Sequence, residues 1–557
     1  MNINKAIQLA RKHFQTGNLQ QAEHIYRKIL TREPHNVDAL HFRGVIHFRL
    51  GNDDSAIKYI KKALQFNSNN PEIYNNLGNV LQSQGHLDSA IECYQNALKL
   101  DPNFADAYYN MGNTLQSQGH LDGAIDCYQN ALKRNPNDFD TYIDLGLAFR
   151  GKEQFDNAIE CYQKAIQLNP SVESAYNNLG IAFWFKGQFD NAIACYQKAI
   201  QLNPNLSDAY NNLAIALKNK GQIEEPIIYY KKAIELNSNF AIAIYNLGNA
   251  LLDKGQLDEA IAFYQTDEAI ACYRRSIQLN PKYTDAYFNL GIALWRQGKR
   301  DEAIINYEKV ILLNPHHFRA RFAKCISQLP IIYSEHSDIQ ICRDRYFHEL
   351  IKLRDSFSTL ENINSAADAV GDEWPFFLAY QGLNNRELQH FYGNLICRVM
   401  SLRYPEFADR PTMPSHSSGK PLRIGFVSGF FWMHSNWKIP IKGWIENIDK
   451  KQFSLYGYYT GIKKDKATED ARRSFTCFVE DIYSFEKLCK IIRDDNLHVL
   501  IYPGIGMDRM TTRLASLRLA PIQCASWGHP DTSGLPTIDY YLSSDLMEPP
   551  EANDHYC

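Results

Sequence analysis

The 557 residues carry almost no excess charge: 59 Lys and Arg stand against 62 Asp and Glu, a net charge of −3. The bulk basic charge of a nucleic-acid binder is therefore missing. No stretch approaches eighteen uninterrupted apolar residues, so no membrane-spanning helix is expected. The opening MNINKAIQLARKHF reads as an amphipathic helix and lacks the apolar run of a secretory signal. Low-complexity composition is also lacking, since 45% apolar and 22% charged residues suit an ordinary soluble chain. Twelve cysteines are present, but a disulfide framework is not expected. Cys93, Cys127, Cys161 and Cys195 recur every 34 residues, each before a tyrosine. Equivalent positions of stacked repeats lie roughly 10 Å apart. That exceeds the ~7 Å Cα separation a bridge tolerates. They read as small buried residues of a chain in reducing cytosol.

What is abundant is self-similarity. NNLGNVLQSQGHLDSAIECYQNALKLDPNF is followed, 34 residues on, by YNMGNTLQSQGHLDGAIDCYQNALKRNPND. This is the period and pattern of the tetratricopeptide helix–turn–helix. Units begin at residues 3, 37, 71, 105, 139, 173, 207, 241 and 284, so nine repeats fill 3–317. In the third, Tyr74, Leu77, Gly78 and Leu81 share one face of helix A, and Ala90, Tyr94 and Ala97 one face of helix B. No unit buries its apolar face alone, so an α-solenoid is expected. Two units deviate. Pro226 replaces the usual alanine near the start of helix B, where a missing N–H is tolerated. The eighth unit holds a nine-residue tandem copy, DEAIAFYQT from Asp258 and DEAIACYRR from Asp267. Nine residues turn a helix by two and a half turns, so the two copies cannot share one core face.

Helix A also presents a polar row at its sixth position: Asn76, Asn110, Asp144, Asn178, Asn212, Asn246 and Asn289. Asparagine is a poor helix former. Its amide can bind both N–H and C=O of an extended peptide. The row fits a groove that reads peptide backbone, or it is a passive product of repeat duplication. Gln8 and Phe42 occupy the position in the first two units.

Residues 318–420 read as a helical connector and linker. Helical patterns cover Phe318–Leu329, Ser337–Leu360 and Asn384–Arg403, around an irregular GDEWPFFLAYQG. RPTMPSHSSG, from Arg410 to Gly419, is linker-like. From 421 to 557 the pattern becomes an α/β lobe. LRIGFV, FSLYGYYT, LHVLIYP, APIQCASW and TIDYYLSS read as strands, separated by helices at Trp437–Asn447, KATEDARRSF, SFEKLCKIIRDD and RMTTRLASLRL. Such alternation predicts a parallel, Rossmann-like sheet with ligands past the strand C-termini. Three polar loops fall there: SGFFWMHSNWK with His434, GIGMD ending at Asp508, and GHPDTSG from Gly528. GIGMD lacks the third glycine of a dinucleotide fingerprint, since Arg509 stands in its place.

The repeat array with its Asn row, PLRIGFVSGFFWMHS, and RLASLRLAPIQCASWGHPDTSGLPTIDYYLSSDLMEPPEA together resemble the O-GlcNAc transferase family with its SPINDLY-type relatives. The resemblance implies a metal-independent glycosyltransferase without cofactor. It would move a sugar, GlcNAc from UDP-GlcNAc or fucose from GDP-fucose, onto Ser or Thr of acceptor proteins held by the repeats. It assigns His434 as catalytic and Gly528, His529 and Pro530 as the sugar-binding loop. His529 replaces a tyrosine of better-known members, and Lys438 a second histidine. The family's donor lobe is expected beyond Cys557, leaving only the first lobe here. A non-catalytic repeat scaffold is the alternative. No nucleic-acid, membrane or metal partner is implied, and the location expected is cytoplasmic.

Overall fold

The computed structural model describes residues 3–257, 262–330, 332–357, 359–415, 419–482, 484–526 and 532–542, apart from the side chains of 255–266 and 440. The chain divides into two compact units, residues 1–250 and 251–557.

The first unit is a row of helical hairpins. Its A helices begin at Ile3, Val37, Pro71, Ala105, Phe139, Glu173 and Ser207, in the phase set by the 34-residue period. From the third to the sixth repeat the hairpin closes where a glycine of helix A meets a tyrosine of helix B. A methyl group on Gly78, Gly112, Gly146 or Gly180 would lie 2.5–2.7 Å from the ring of Tyr94, Tyr128, Tyr162 or Tyr196. All four rings are buried. Cys93, Cys127 and Cys161 are buried beside them, and no cysteine among the described residues forms a disulfide.

Neighbouring repeats are also tied along one edge. The residue ending helix A reaches back to the aspartate opening the previous helix B: Gln118 to Asp88 (2.8 Å), Lys220 to Asp190 (2.5 Å), and likewise Lys152 to Asp122 and Lys186 to Asp156. These exposed pairs add little energy individually. Pro226 has the effect expected of a missing donor. In other repeats the alanine at that place bonds the carbonyl four residues back, as Ala192 does to Gln188. Without that N–H the helix starts one residue later, at Glu224.

In the second unit the repeats continue with helices Ala262–Leu279, Thr284–Arg296 and Arg300–Leu313. The tandem copy beginning at Asp267 packs into the core. Ala269, Ile270 and Tyr273 are buried, and Asp267 accepts from Gln297 (2.7 Å) at the same thirty-residue offset as the other edge pairs. The side chains of the first copy, Asp258 to Thr266, lie outside the described residues.

Connector helices Phe318–Ile326, Ser337–Asp355, Leu360–Ala369 and Arg386–Arg403 follow. The pattern expected to run to Leu360 breaks at Asp355, and Thr359 caps a new helix by accepting the Asn362 amide. The GDEWPFFLAYQG stretch holds a 3-10 helix, Phe376–Gln381. The lobe is a sheet of β1 (Leu422–Ser428), β2 (Phe453–Tyr459), β3 (Cys477–Val479), β4 (Val499–Tyr502), β5 (Ile522–Ser526) and β6 (Tyr540–Leu542). All pairings are parallel, in the order β3-β2-β1-β4-β5-β6. β3 was not expected; its three residues follow closely on the stretch read as the helix KATEDARRSF and have no apolar run of their own. One face of the sheet shares a core with the connector, where Tyr346, Tyr392, Ile396 and Met400 pack with Val427, Leu500 and Tyr502. The other face packs Phe426 and Leu455 against Phe431, Trp437 and Ile445. No helix among the described residues is long and apolar enough to cross a membrane.

One hairpin turn breaks the glycine rule. Gly17, Gly51, Gly85, Gly119, Gly187 and Gly221 turn with φ between 71° and 81°, whereas the fifth repeat uses Glu153 at φ 59°. A side chain in this left-handed region costs about 1–2 kcal/mol. Glu153→Gly, at an exposed site, is therefore expected to raise stability by roughly 1 kcal/mol in urea unfolding, after the entropy glycine adds to the unfolded chain.

Candidate functional site

Strand order reverses between β1 and β4, since the chain runs outward through β2 and β3 and then crosses back. Ligands of open α/β sheets bind at such a switch point, past the strand C-termini. The loops leaving β1, β2 and β4 meet there. Gly504 stands so close to the β1 loop that a methyl group on it would lie 3.1 Å from the Asn436 amide nitrogen. That Nδ2 donates to the Met507 sulfur (3.0 Å).

His434 lies on this rim. Its ring stacks on Phe430 at 4.4 Å and tilts against Trp432 at 5.1 Å. The Lys463 ammonium lies 3.8 Å from the centre of the Trp432 ring. Partial burial, helped by the Lys463 charge, holds the imidazole below its ordinary pKa, so it is neutral at neutral pH. The backbone N–H of Asn436 donates to His434 Nδ1 (3.2 Å). An accepting Nδ1 assigns the neutral ring's proton to Nε2. His434 thus offers a hydrogen-bond donor to a ligand oxygen. In this tautomer its Nε2 is not a base.

Asp508 ties the three loops together. It caps helix Arg509–Ala515 by accepting the Thr511 amide (2.8 Å), and it accepts from the Thr460 hydroxyl after β2 (3.4 Å). Gly429, the first residue after β1, faces its other oxygen: a methyl group there would lie 3.0 Å from Oδ2. Burial pushes this carboxyl above the usual range, opposed by the Thr511, Thr460 and Gly429 contacts. Asp465 caps helix Lys466–Ser474 and also accepts the Met433 amide (2.8 Å), which fixes the far side of the His434 loop. Lys438, exposed, donates its backbone N–H to the His434 carbonyl (3.0 Å).

Gly528, His529 and Pro530 lie outside the described residues, as does everything from 527 to 531. The flank that follows them is held firmly. Gly534, at φ 64°, presses on connector helix Arg386–Arg403. A methyl group on Gly393 would lie 2.1 Å from the Gly534 carbonyl oxygen, and one on Gly534 equally close to the Gln389 oxygen.

The Asn row is half-buried throughout. In the first unit it bonds sideways between repeats. Asn110 donates to Asn75 (3.0 Å), Asn212 to Asn177 (3.2 Å) and Asn246 to Asn211 (3.0 Å). Asn76 pairs with His41 (2.8 Å), Asn178 accepts from Arg150 (3.2 Å), and Asp144 accepts the Tyr109 hydroxyl (2.9 Å). Each amide has capacity beyond one such bond. Sequence reasoning missed the fifth-position partners, although the doublets Asn75-Asn76, Asn177-Asn178 and Asn211-Asn212 were a visible signal. Asn289 belongs to the second unit.

Helical repeats thus precede a parallel α/β lobe whose polar loops meet at its switch point. Comparison with known families makes this specific. Residues 393–557 match glycosyl transferase family 41, and tetratricopeptide repeat families match segments such as 78–119, 105–138, 174–206 and 284–317. The combination of these two parts is similar to that of the O-GlcNAc transferase and SPINDLY type of protein. The rice (Oryza sativa subsp. japonica) protein named probable UDP-N-acetylglucosamine–peptide N-acetylglucosaminyltransferase SPINDLY is 28% identical over 160 residues, 28% of this chain. That match spans only 17% of the rice protein's length. The UDP-glucose:protein N-beta-glucosyltransferase of Actinobacillus pleuropneumoniae is 23% identical over 190 residues, 33% of this chain and 30% of that protein. Among solved structures, the Thermobaculum terrenum O-GlcNAc transferase covers 69% of this chain and 56% of its own at 17% identity and TM-score 0.33. YrrB, described as a tetratricopeptide protein with an unusual peptide-binding site, covers 34% of this chain and 96% of its own at 27% identity and TM-score 0.31.

The Gly393–Gly534 approach is backbone against backbone, so no rotamer change relieves it. Gly393→Ala is expected to destabilise the second unit by about 1–3 kcal/mol. Gly443→Ala, in helix Lys442–Asn447 with nothing within 4 Å, is expected to be neutral or stabilising. Urea unfolding of both variants checks the contrast.

Proposed function

We propose that this chain serves protein O-glycosylation, with GlcNAc from UDP-GlcNAc passing to a Ser or Thr hydroxyl of an acceptor segment held by the repeats. The observation that carries the reading is the family 41 match over 393–557, which contains the crevice at His434. His434, neutral and with its proton on Nε2, is the donor that holds an oxygen of the acceptor or of the sugar. Gly528, His529 and Pro530 are the proposed sugar contacts. Asp508, a half-buried carboxyl that ties the crevice loops, would repel a diphosphate when ionised. The diphosphate is therefore proposed to be held by residues outside this crevice, in a second α/β lobe of the family 41 type.

The test is transfer onto a Ser/Thr peptide library, read by mass spectrometry. UDP-GlcNAc, GDP-fucose and UDP-glucose are the separate donors. The chain is used alone and joined to the second lobe of a family 41 relative. GlcNAc on Ser or Thr is the expected product, with the joined protein the active one. Fucose or glucose would change the donor, and glucose on Asn would change the linkage too. No transfer in any arm would leave the scaffold alternative. In an active arm His434→Ala should lower turnover by about 10- to 100-fold, with little change in peptide affinity, as for a lost oriented donor.

For the repeats, Asn178, Asn212 and Asn246 are the proposed peptide contacts. Changing all three to Ala should weaken an extended peptide by roughly 0.5–1.5 kcal/mol per lost bond. Because Asn212 and Asn246 also bond the previous repeat, the melting temperature should fall as well. Unchanged peptide affinity beside a lowered melting temperature would make the row purely structural.

A further inference from the structure

The GDEWPFFLAYQG stretch is absorbed by no part of the proposed reaction, yet it packs closely on the loop that follows β4. Gly371, at φ 87°, lies on the backbone of Arg509: a methyl group there would be 2.7 Å from the Arg509 carbonyl oxygen. Trp374, buried, lays its indole on Gly506, where a methyl group would be 2.8 Å from three ring atoms. The edge of that indole is braced by Tyr392, with ring centroids 5.3 Å apart at 90°. Tyr392 in turn donates its hydroxyl to the Glu373 carbonyl (2.9 Å). Asp372 is a two-sided clamp. One oxygen takes Arg319 Nε (2.6 Å) from helix Phe318–Ile326, and the other takes Arg509 Nε (3.1 Å), next to Asp508.

We propose that Asp372 and Trp374 are positioning residues, which hold the loop Gly504–Asp508 so that Met507 and Gly504 fix Asn436, and Asn436 fixes the ring of His434. The route is a series of direct contacts. Trp374 sits on Gly506, whose amide donates to Thr512 Oγ1 (3.1 Å). The next residue, Met507, accepts from Asn436 Nδ2, and the Asn436 backbone N–H holds His434 Nδ1. Neither Asp372 nor Trp374 touches the crevice itself. Arg319 stands on the first helix after the ninth repeat, so the same clamp links the end of the array to the loop beneath His434. The importance of this linkage for turnover rests on the crevice being the transfer site.

The test reads the tautomer directly, in the full chain labelled with 15N-histidine, where His434→Gln assigns the signal among 17 histidines. His498 is the internal control: it is buried in the same lobe, at the opposite strand end, and accepts the Arg423 amide on Nδ1 (3.1 Å). Trp374→Leu and Asp372→Asn should each shift the His434 nitrogens toward a mixture of tautomers and leave His498 unmoved. Asp372→Glu should restore the wild-type His434 signal at least in part. An unmoved His434 in both variants overturns the proposal. Equal movement of His434 and His498 also overturns it, because the segment would then be general packing. If the protein joined to a second lobe transfers no sugar, the transfer reading fails while the tautomer result stands. If it does transfer, both variants should lower turnover several-fold at unchanged peptide affinity.

Discussion

The contact between a glycine on helix A and a tyrosine ring on helix B is the constraint on which the array depends. A single added carbon at Gly78 or Gly146 would fall 2.5 Å from a ring carbon. The ring fills the space that the missing side chain leaves, and its hydroxyl returns to helix A, as Tyr94 does to Asn79 (2.8 Å) and Tyr128 to Asn113 (2.7 Å). With the hairpin angle fixed, equivalent residues of successive repeats come into register. The fifth- and sixth-position amides can then bond from one repeat to the next, and the aspartates that open helix B can meet the residues that close the following helix A. The seventh repeat shows that the rule has some tolerance: Ala214 stands at the glycine position, and Tyr230 is still buried.

This explains what could be read from the sequence. A period of 34 residues fixes phase, and phase fixed every helix A start through Thr284. It also identified the odd unit, but it could not choose between the two DEAIA copies, because each is a complete helix-B signature. Burial of Ala269 and Tyr273 and the bond from Gln297 to Asp267 show that the second copy packs as a helix B. In the lobe, strands lying inside apolar runs bounded by turn residues were legible, including the three-residue β6. β3, on the sheet edge, follows closely on a stretch read as helix and has no apolar run of its own. The short helix Leu360–Ala369 was hidden because its cap, Thr359, lies inside what read as one longer amphipathic run.

The site was legible as loops and not as contacts. His434 and Asp508 stand where a strand ends, which the sequence reveals. That Thr460 and Gly429 meet at Asp508, or that Gly504 must lack a side chain because Asn436 is there, depends on tertiary approach. The Asn row illustrates the same limit from the other side. Two readings seemed exclusive, a peptide groove and a passive residue of duplication. The inter-repeat bonds supply a stacking role, which a peptide-binding role does not contradict: an amide anchored by its neighbour is held in one rotamer and loses less entropy when it binds a second partner.

Rigidity of this kind connects the array and the crevice in physical terms. A histidine on a loop presents a defined nitrogen only if the loop is fixed, since the two tautomers of a free imidazole differ little in energy. Here the β1 loop is fixed from both sides, by Asp465 at Met433 and by the Asn436–Met507 contact. The second of these depends on a loop carrying two glycines, Gly504 and Gly506, a backbone with many accessible conformations when unsupported. Trp374 and Asp372 supply the support from outside the sheet. Trp374 covers Gly506 with a flat apolar surface that only a glycine can approach, and Asp372 holds Arg509 with a charge-assisted bond whose second arm, Arg319, is anchored just past the ninth repeat. The irregular stretch between two connector helices therefore supports the strand-end loops from behind, without itself lining the crevice.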